Sequence, residues 1–236
     1  TEGDPVAPID KDTITLLDEN GQPAASVDAK SPDGKVIGTF TVDKATGVVT
    51  FTPTDKSYTG KVTPVKVQAE SSNGIKVDTT YTPEIVPVTP TATPAETTDI
   101  QGATQTGKPE FQGGTVNVDG VEKTVAINEA VPATFDDGTK TKTIPNVGTY
   151  TVAADGTVTF VPEKSFIGTA PAVTVVREDM NGTKAQATYT PTVTPITVTP
   201  TNKVSEDIQN VPQTQTPTFD LSNDKTAQIT SKKLVD

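Results

Sequence analysis

The chain has 236 residues and a formal net charge of −11, and it contains no histidine, cysteine or tryptophan. These features exclude disulfides, thiol nucleophiles and histidine-based triads, and the negative charge disfavours a nucleic-acid partner. Only 32% of the residues are hydrophobic, against about 45–50% in an average domain when glycine is included. Any core must therefore be thin.

Alternating apolar and polar residues predict β-strands throughout the chain, beginning with Thr13–Leu17. Thr39–Val42 and Val48–Phe51 flank a short turn and predict a first hairpin. Val65–Ala69 and Ile75–Tyr81 flank an Asn-Gly turn and predict a second hairpin. No stretch of helical length carries apolar residues at three-and-four spacing.

The second half of the chain repeats the first in the same order. Gly38–Val42 returns as Gly148–Val152 (148 − 38 = 110), and Tyr81-Thr82-Pro83 returns as Tyr189–Pro191 (189 − 81 = 108). The offset changes only at turns, which indicates a duplicated folding unit. The sequence also predicts Thr124–Ile127 as the counterpart of the first strand.

Aromatic residues recur at matching positions and are expected to anchor each core, because their rings bury more apolar area than any aliphatic side chain. The matched pairs are Phe40 with Tyr150, Phe51 with Phe160, Tyr58 with Phe166, Tyr81 with Tyr189 and Phe111 with Phe219. Only Phe135 has no partner.

The chain is predicted to be all-β, with tandem antiparallel Ig-like β-sandwich repeats joined by Pro/Thr-rich linkers. The predicted units are 1–94, which we expect to be incomplete at its N-terminal side, 95–200, and 201–236, the last being the start of a third unit or a closing strand of the second. Proline spacing in Pro83–Pro94 indicates a semi-rigid spacer. Whether Asp99–Phe111 opens the second unit or closes the first stays open. We expect an excerpt from a longer repetitive protein.

Two acidic pairs are the candidates for acid–base chemistry, Asp136-Asp137 and Glu178-Asp179. We interpret both as solvated turn residues, because acidic side chains favour turns. Asp18–Gly21 and Asp179–Gly182 carry oxygen ligands of the kind calcium binds, but ordinary Asn-Gly turns explain both. We therefore predict no catalytic, cofactor-binding or metal-binding residue and no cofactor.

The ordered blocks Gly148–Val152, Val158–Pro162, Ser165–Ala170 and Tyr189–Pro195 resemble the repeat of CshA-type fibrils. These are wall-anchored surface adhesins of streptococci and related Gram-positive bacteria. The resemblance implies many tandem copies that form a stalk, with receptor binding in a non-repetitive head that this chain lacks. Gram-positive stalk domains sometimes carry a Lys–Asn amide cross-link; the residue types are present here, but no spacing identifies a triple.

The predicted function is therefore that of stalk repeats, which space a distal binding region away from the cell wall in host or interbacterial adhesion. The alternative is that the repeats themselves bind a host protein or glycan by weak multivalent contacts. The expected partners are neighbouring repeats of the same chain, and a host protein or glycan through other regions. We expect no enzyme activity, no nucleic acid, no membrane insertion, a monomer, and an extracellular, cell-wall-anchored location.

Overall fold

The computed structural model describes residues 6–221, and these residues form short β-strands without any helix. The all-β prediction is confirmed. The chain divides into two compact units. The first holds the chain up to Pro90 together with 113–126 and 179–183, and the second holds 91–112, 127–178 and the chain from Lys184 onward. The predicted boundaries after residues 94 and 200 stay predictions.

The first unit is built around two larger antiparallel sheets. Its first nine strands are β1 (Ile9–Leu17), β2 (Pro23–Ala24), β3 (Ser26–Lys30), β4 (Val36–Val42), β5 (Val49–Pro53), β6 (Gly60–Lys61), β7 (Val65–Ser71), β8 (Lys76–Tyr81) and β9 (Glu84–Ile85). One sheet has the order β2-β1-β7-β8 and the other β3-β4-β5, while β6 pairs with β9.

The remaining strands are β10 (Thr91–Thr93), β11 (Ala95–Ile100), β12 (Gln105–Gly107), β13 (Glu110–Gln112), β14 (Gly114–Val118), β15 (Val121–Val125), β16 (Thr134–Phe135), β17 (Thr141–Ile144), β18 (Gly148–Val152), β19 (Val158–Pro162), β20 (Gly168–Thr169), β21 (Val173–Glu178), β22 (Lys184–Thr194), β23 (Val198–Thr201) and β24 (Thr218–Leu221). The sandwich of the second unit has sheets β11-β22-β21-β16 and β12-β19-β18-β17, and β20 also pairs with β22. The β11–β22 pair is parallel.

The two predicted hairpins recur in both units with matched register. β4 and β5 place Phe40 opposite Phe51, and β18 and β19 place Tyr150 opposite Phe160. The β7–β8 pair and the β21–β22 pair also share one register at an offset of 108 (173 − 65 and 189 − 81). The prediction of a duplicated β-sandwich is therefore confirmed at the level of individual residue pairs.

The predicted counterpart of the first strand is wrong. Leu16 lies opposite Val67 in the first unit, and Phe135 lies opposite Val175 in the second (175 − 67 = 108). β16 is thus the equivalent of β1, and the unmatched Phe135 replaces Leu16. Thr124–Ile127 misleads because the same alternation is carried by β15, the second strand of a separate β14–β15 hairpin.

The Pro/Thr-rich connection between the units is shorter than the predicted spacer. β9 pairs with β6 inside the first unit, and β10 pairs with β13 inside the second. Of Pro83–Pro94, Val86–Pro90 is the stretch between those two strands. Much of the expected linker is therefore part of the folded units, because proline is tolerated at the ends and edges of strands.

The second unit has the larger core. Its buried cluster is Ala133, Phe135, Tyr150, Val152, Val158, Phe160, Ala170, Val173, Val175, Tyr189 and Val193. The buried cluster of the first unit is Leu16, Ala29, Ile37, Phe40, Val62 and Val65. The strands β4, β5, β7 and β8 match β18, β19, β21 and β22, so the strands themselves do not explain the difference in core size. The difference arises from the segments that cover these strands.

The aromatic pairs show where cover is missing. Phe160 and Tyr189 are fully buried in the second unit. In the first unit, Phe51, which matches Phe160, is half-buried, and Tyr81, which matches Tyr189, is 38% exposed. Phe219 is also exposed. The prediction that every matched aromatic anchors a core is therefore wrong for Phe219 and holds only in part for Phe51 and for Tyr81, whose exposed ring still packs against the buried Phe40 ring at a centroid distance of 5.9 Å. In the first unit no described strand covers the edge of the sandwich beside these rings, as set out below.

A glycine makes room for the phenylalanine ring in each unit. A Cβ atom at Gly148 would lie 2.4 Å from the Val161 carbonyl oxygen and 2.7 Å from the Phe160 ring. At Gly38 it would lie 2.7 Å from the Phe51 ring. The repeated Gly-Thr-aromatic-Thr-Val block thus starts with glycine because the neighbouring strand and its ring approach too closely for a side chain.

We predict that Phe160→Ala lowers the free energy of unfolding of the second unit by about 3–5 kcal/mol, the typical effect of removing a buried phenylalanine. Phe51→Ala, the matched control, is expected to cost the first unit clearly less, because that ring is half-exposed. Urea unfolding followed by NMR signals assigned to each unit measures both. Equal losses at the two positions would contradict the difference in cover.

Burial also changes the acidity of one core residue. Tyr150 is fully buried, and its hydroxyl donates a hydrogen bond to the Pro171 carbonyl at 2.8 Å. Burial raises the pKa of Tyr150 to about 12. Its counterpart in the first unit, Phe40, carries no ionisable group.

We predict that the stability of the second unit falls as the pH rises from about 10 to about 12. In this window an unfolded tyrosine loses its proton while folded Tyr150 keeps it, so alkali favours unfolding by up to about 1.4 kcal/mol per pH unit. Tyr150→Phe should flatten the dependence. Urea midpoints measured across this range test the prediction, and an unchanged slope in the variant would refute it.

Candidate functional site

The first acidic pair is held by a lysine. Lys142 forms an ion pair with Asp136 and lies 3.3 Å from an oxygen of Asp137, and its ammonium sits 5.4 Å from the Phe135 ring centroid. Hydrogen bonds from Thr139 lower the pKa of Asp137. A general acid at neutral pH needs a raised pKa. The geometry therefore favours the turn interpretation of this exposed pair.

In the second acidic pair, Glu178-Asp179, the aspartate does not fit the interpretation as a solvated turn residue. Asp179 is fully buried rather than solvated. Its Oδ1 accepts hydrogen bonds from the amides of Asn181 (2.8 Å) and Thr183 (2.9 Å), which closes the turn. At the matching position of the first sequence repeat (179 − 108 = 71), Ser71 Oγ accepts from the Ile75 amide at 3.1 Å. A serine that closes the same turn indicates a structural role for Asp179 Oδ1, while Asp179 Oδ2 is buried without a hydrogen-bond partner among the described residues.

The other calcium candidate uses its carboxylate in the same way. Asp18 Oδ1 accepts hydrogen bonds from the amides of Asn20 and Gln22, both at 2.8 Å, while Glu19 pairs with Lys30. Within residues 6–221, no group of three or more acidic side chains is placed to hold a metal ion. In the same range, the lysines that form ion pairs bind aspartate or glutamate side chains; these lysines are Lys30, Lys35, Lys108 and Lys142.

The feature that distinguishes the two units is the edge of the sandwich. In the second unit, residues 95–107 cover the edges of both sheets. β11 runs parallel to β22 from Ala95, opposite Tyr189, to Ile100, opposite Thr194. The chain then turns, and β12 runs antiparallel to β19, with Gln105 opposite Phe160. The stretch that the sequence left open therefore begins the second unit.

Side chains fix this covering segment in place. The Thr97 hydroxyl lies 2.7 Å from the Tyr189 hydroxyl and donates to Gln105 Oε1 at 2.6 Å. Gln105 Nε2 donates to the Thr192 carbonyl at 3.0 Å. Gly107 lies against the Tyr189 ring, where a Cβ atom would approach to 2.2 Å. The segment thus seals the core and satisfies its own polar groups.

In the first unit, β8 and β5 are the last strands of their sheets, and no described strand pairs with their outer edges. An apolar groove of about 350 Å³ lies there, which we call the edge groove. It is lined by Ile9, Ile14, Gly47, Val49, Val67, Ala69 and 77–81. Val77 is 48% exposed, whereas its counterpart Ala185 is 6% exposed. At the offset of 108, the counterpart of residues 95–107 would precede Thr1 (107 − 108 = −1), so the edge groove marks the place of a covering segment rather than a free binding surface.

Sequence reasoning did not find this site. No motif marks it, because its residues read as ordinary strand positions. One signal was available: Asp99-Ile100-Gln101 and Phe111 recur as Asp207-Ile208-Gln209 and Phe219 (207 − 99 = 108), so the covering segment belongs to the repeat. No described helix has the length and apolar character to span a membrane.

Comparison with solved structures finds repeat domain 13 of the fibrillar adhesin CshA from Streptococcus gordonii, solved by NMR. It shares 58% sequence identity over 28% of this chain and 86% of that one, with a TM-score of 0.18. Mouse cadherin-23 EC22-24 shares 14% identity over 73% of this chain and 54% of that one, with a TM-score of 0.27. PcdhgB3 EC1-4 shares 8% sequence identity over 80% of this chain and 44% of that one, with a TM-score of 0.28.

A comparison with curated proteins finds no match. The family model described as the surface adhesin CshA repetitive domain matches the chain twice, over residues 1–85 and 87–193. The two matches follow the duplication that the strand registers show, and together they cover most of the chain. The chain therefore belongs to the family of repetitive domains of the surface adhesin CshA.

Proposed function

We propose that the chain is a section of an adhesin stalk, in which each unit adds length and holds a distal binding region away from a cell wall in host or interbacterial adhesion. As repeats of a surface-adhesin family, the units belong to an extracellular surface protein. Their contribution is mechanical rather than catalytic. The wall anchorage and the distal binding region are part of the proposal.

The observation that carries the proposal is a repeat that continues after β22, the last strand of the second sandwich. β10 and β13 place Ala92 opposite Phe111, and β23 and β24 place Pro200 opposite Phe219. Both residues of the second pair lie 108 positions after the first (200 − 92 and 219 − 111). A structural element that recurs at a fixed interval supports tandem addition of units. Because each unit has its own core, length increases without a larger core.

The chemistry of the described residues also supports a structural role. The carboxylates examined above bind turn amides or lysine side chains, an arrangement that stabilises turns and provides no acid–base pair. The net charge of −11 gives like-charged units that disfavour collapse onto each other, although salt weakens this effect beyond about 10 Å. Threonine-rich strand faces keep the surface polar.

We predict that the chain in solution is an elongated monomer. Its radius of gyration should exceed roughly 17–18 Å, the value for a compact chain of this length. Small-angle X-ray scattering measures it. The matched control replaces Pro87 and Pro90 with glycine, which should broaden the distance distribution because proline restricts the connection. A value near the compact one with a globular distance distribution would contradict the stalk proposal.

A further inference from the structure

The chain contains three exposed Asn-Gly turns, at Asn20-Gly21, Asn73-Gly74 and Asn181-Gly182. An asparagine before glycine is open to deamidation, because glycine has no side chain to keep its amide nitrogen away from the asparagine side-chain carbonyl. In all three turns the glycine has a positive φ, and its amide donates to the carbonyl three residues earlier at 2.8 to 3.0 Å. These shared features do not distinguish the three turns.

The side-chain carbonyl of Asn73 is held by a hydroxyl. Ser71 Oγ accepts a hydrogen bond from the Ile75 amide and donates its own proton to Asn73 Oδ1. A donor placed at an oxygen that gains negative charge during a reaction stabilises that charge. In the other two turns the same position holds Asp18 or Asp179, whose Oδ1 accepts backbone amides. An ionised carboxylate has no proton to donate.

A carboxylate also lies beside the glycine of this turn. A Cβ atom built on Gly74 would lie 3.7 Å from Glu70 Oε1. At Gly21 and Gly182, no atom of the described residues beyond the chain neighbours would lie within 4 Å. Glu178 occupies the matching position of the second repeat (178 − 70 = 108), so the difference arises from the turn geometry. A carboxylate in this place can take the proton that the glycine nitrogen must lose.

We propose that Asn73 is a site of self-catalysed deamidation. The Gly74 nitrogen gives its proton to the Glu70 carboxylate and bonds to Asn73 Cγ, and the negative charge forms on Oδ1, where the Ser71 hydroxyl stabilises it. The carbonyl then re-forms while Nδ2 takes the proton from Glu70 and leaves as ammonia. A five-membered succinimide ring remains, and water opens it at either carbonyl to give aspartate or isoaspartate at position 73.

The product changes the turn between β7 and β8. Either form adds a negative charge, and isoaspartate also routes the main chain through the former side chain, which adds one carbon to the backbone. Because loop length sets the register of a hairpin, this extra atom disturbs the pairs next to the turn. The inference concerns chemical change in one turn of the first unit; it goes beyond the stalk function and does not depend on it.

The experiment incubates the whole chain at neutral pH for several weeks. Samples are digested with pepsin in acid, which suppresses further deamidation, and mass spectrometry measures each Asn-Gly peptide. We expect Asn73 to react at least about fivefold faster than Asn20 and Asn181, the effect of one well-placed hydrogen bond. In a chain unfolded in urea the three sites should react at comparable rates, because the turn geometry is lost.

Two variants test the groups that promote the reaction. Ser71→Asp keeps an acceptor that closes the turn, as the aspartates of the other turns do, but removes the donor; it should slow Asn73 to the rate of the other sites. Glu70→Gln removes the carboxylate at nearly constant size and should also slow it. Ser72→Ala, the matched control, changes an exposed serine of the same turn and should leave the rate unchanged.

The direction of the change separates this chemistry from a loosened turn. A variant that only loosens the turn frees the glycine amide and speeds the reaction, whereas loss of the hydroxyl or the carboxylate slows it. Equal rates at the three sites of the folded chain would overturn the proposal. An unchanged or faster rate in Ser71→Asp or Glu70→Gln, or a preference for Asn73 that persists in urea, would also overturn it.

Discussion

A sandwich with so little apolar material depends on covering the edges of its two sheets. Each edge exposes unpaired amide and carbonyl groups and opens a path for water to the thin layer between the sheets. In the second unit one segment, Ala95–Gly107, pairs with both edges and brings Gly107 against the Tyr189 ring. The burial of Tyr189, Phe160 and Val158 follows from that single element, and their half-buried or exposed counterparts in the first unit show its effect.

The same constraint explains the order of the repeat. Because the covering segment comes before the strands that it closes, the second unit carries the Asp99-Ile100-Gln101 stretch near its start and the Tyr189-Thr190-Pro191 strand that receives it later in the chain. Strands border the connection between the units on both sides, so the proline-rich sequence that joins the units is short. An arrangement of this kind suits tandem addition, because the covering segment belongs to the repeat and each unit has its own core.

The sequence predicts the hairpins well, because alternation, Asn-Gly turns and the fixed offset of the duplication all act over short distances. It does not identify β16 as the partner of β1, since a two-residue strand carries no period and the decoy in β15 alternates better. It does not reveal that Asp179 is buried, because a turn carboxylate looks the same whether water or its own amides solvate it. The edge groove is equally hidden: whether Tyr81 is covered depends on a segment far away in sequence.

Amide hydrogen exchange of the whole chain, measured residue by residue by NMR, tests the central claim most directly. Strand segments that are paired on both sides should be protected at every amide, so β19 should show continuous protection over Val158–Phe160, where both β12 and β18 pair with it. The matching segment of β5, Val49–Phe51, should show protection at alternate residues only, where amides face β4, with fast exchange at the outward-facing positions. Continuous protection over Val49–Phe51, equal to that over Val158–Phe160, would contradict the account.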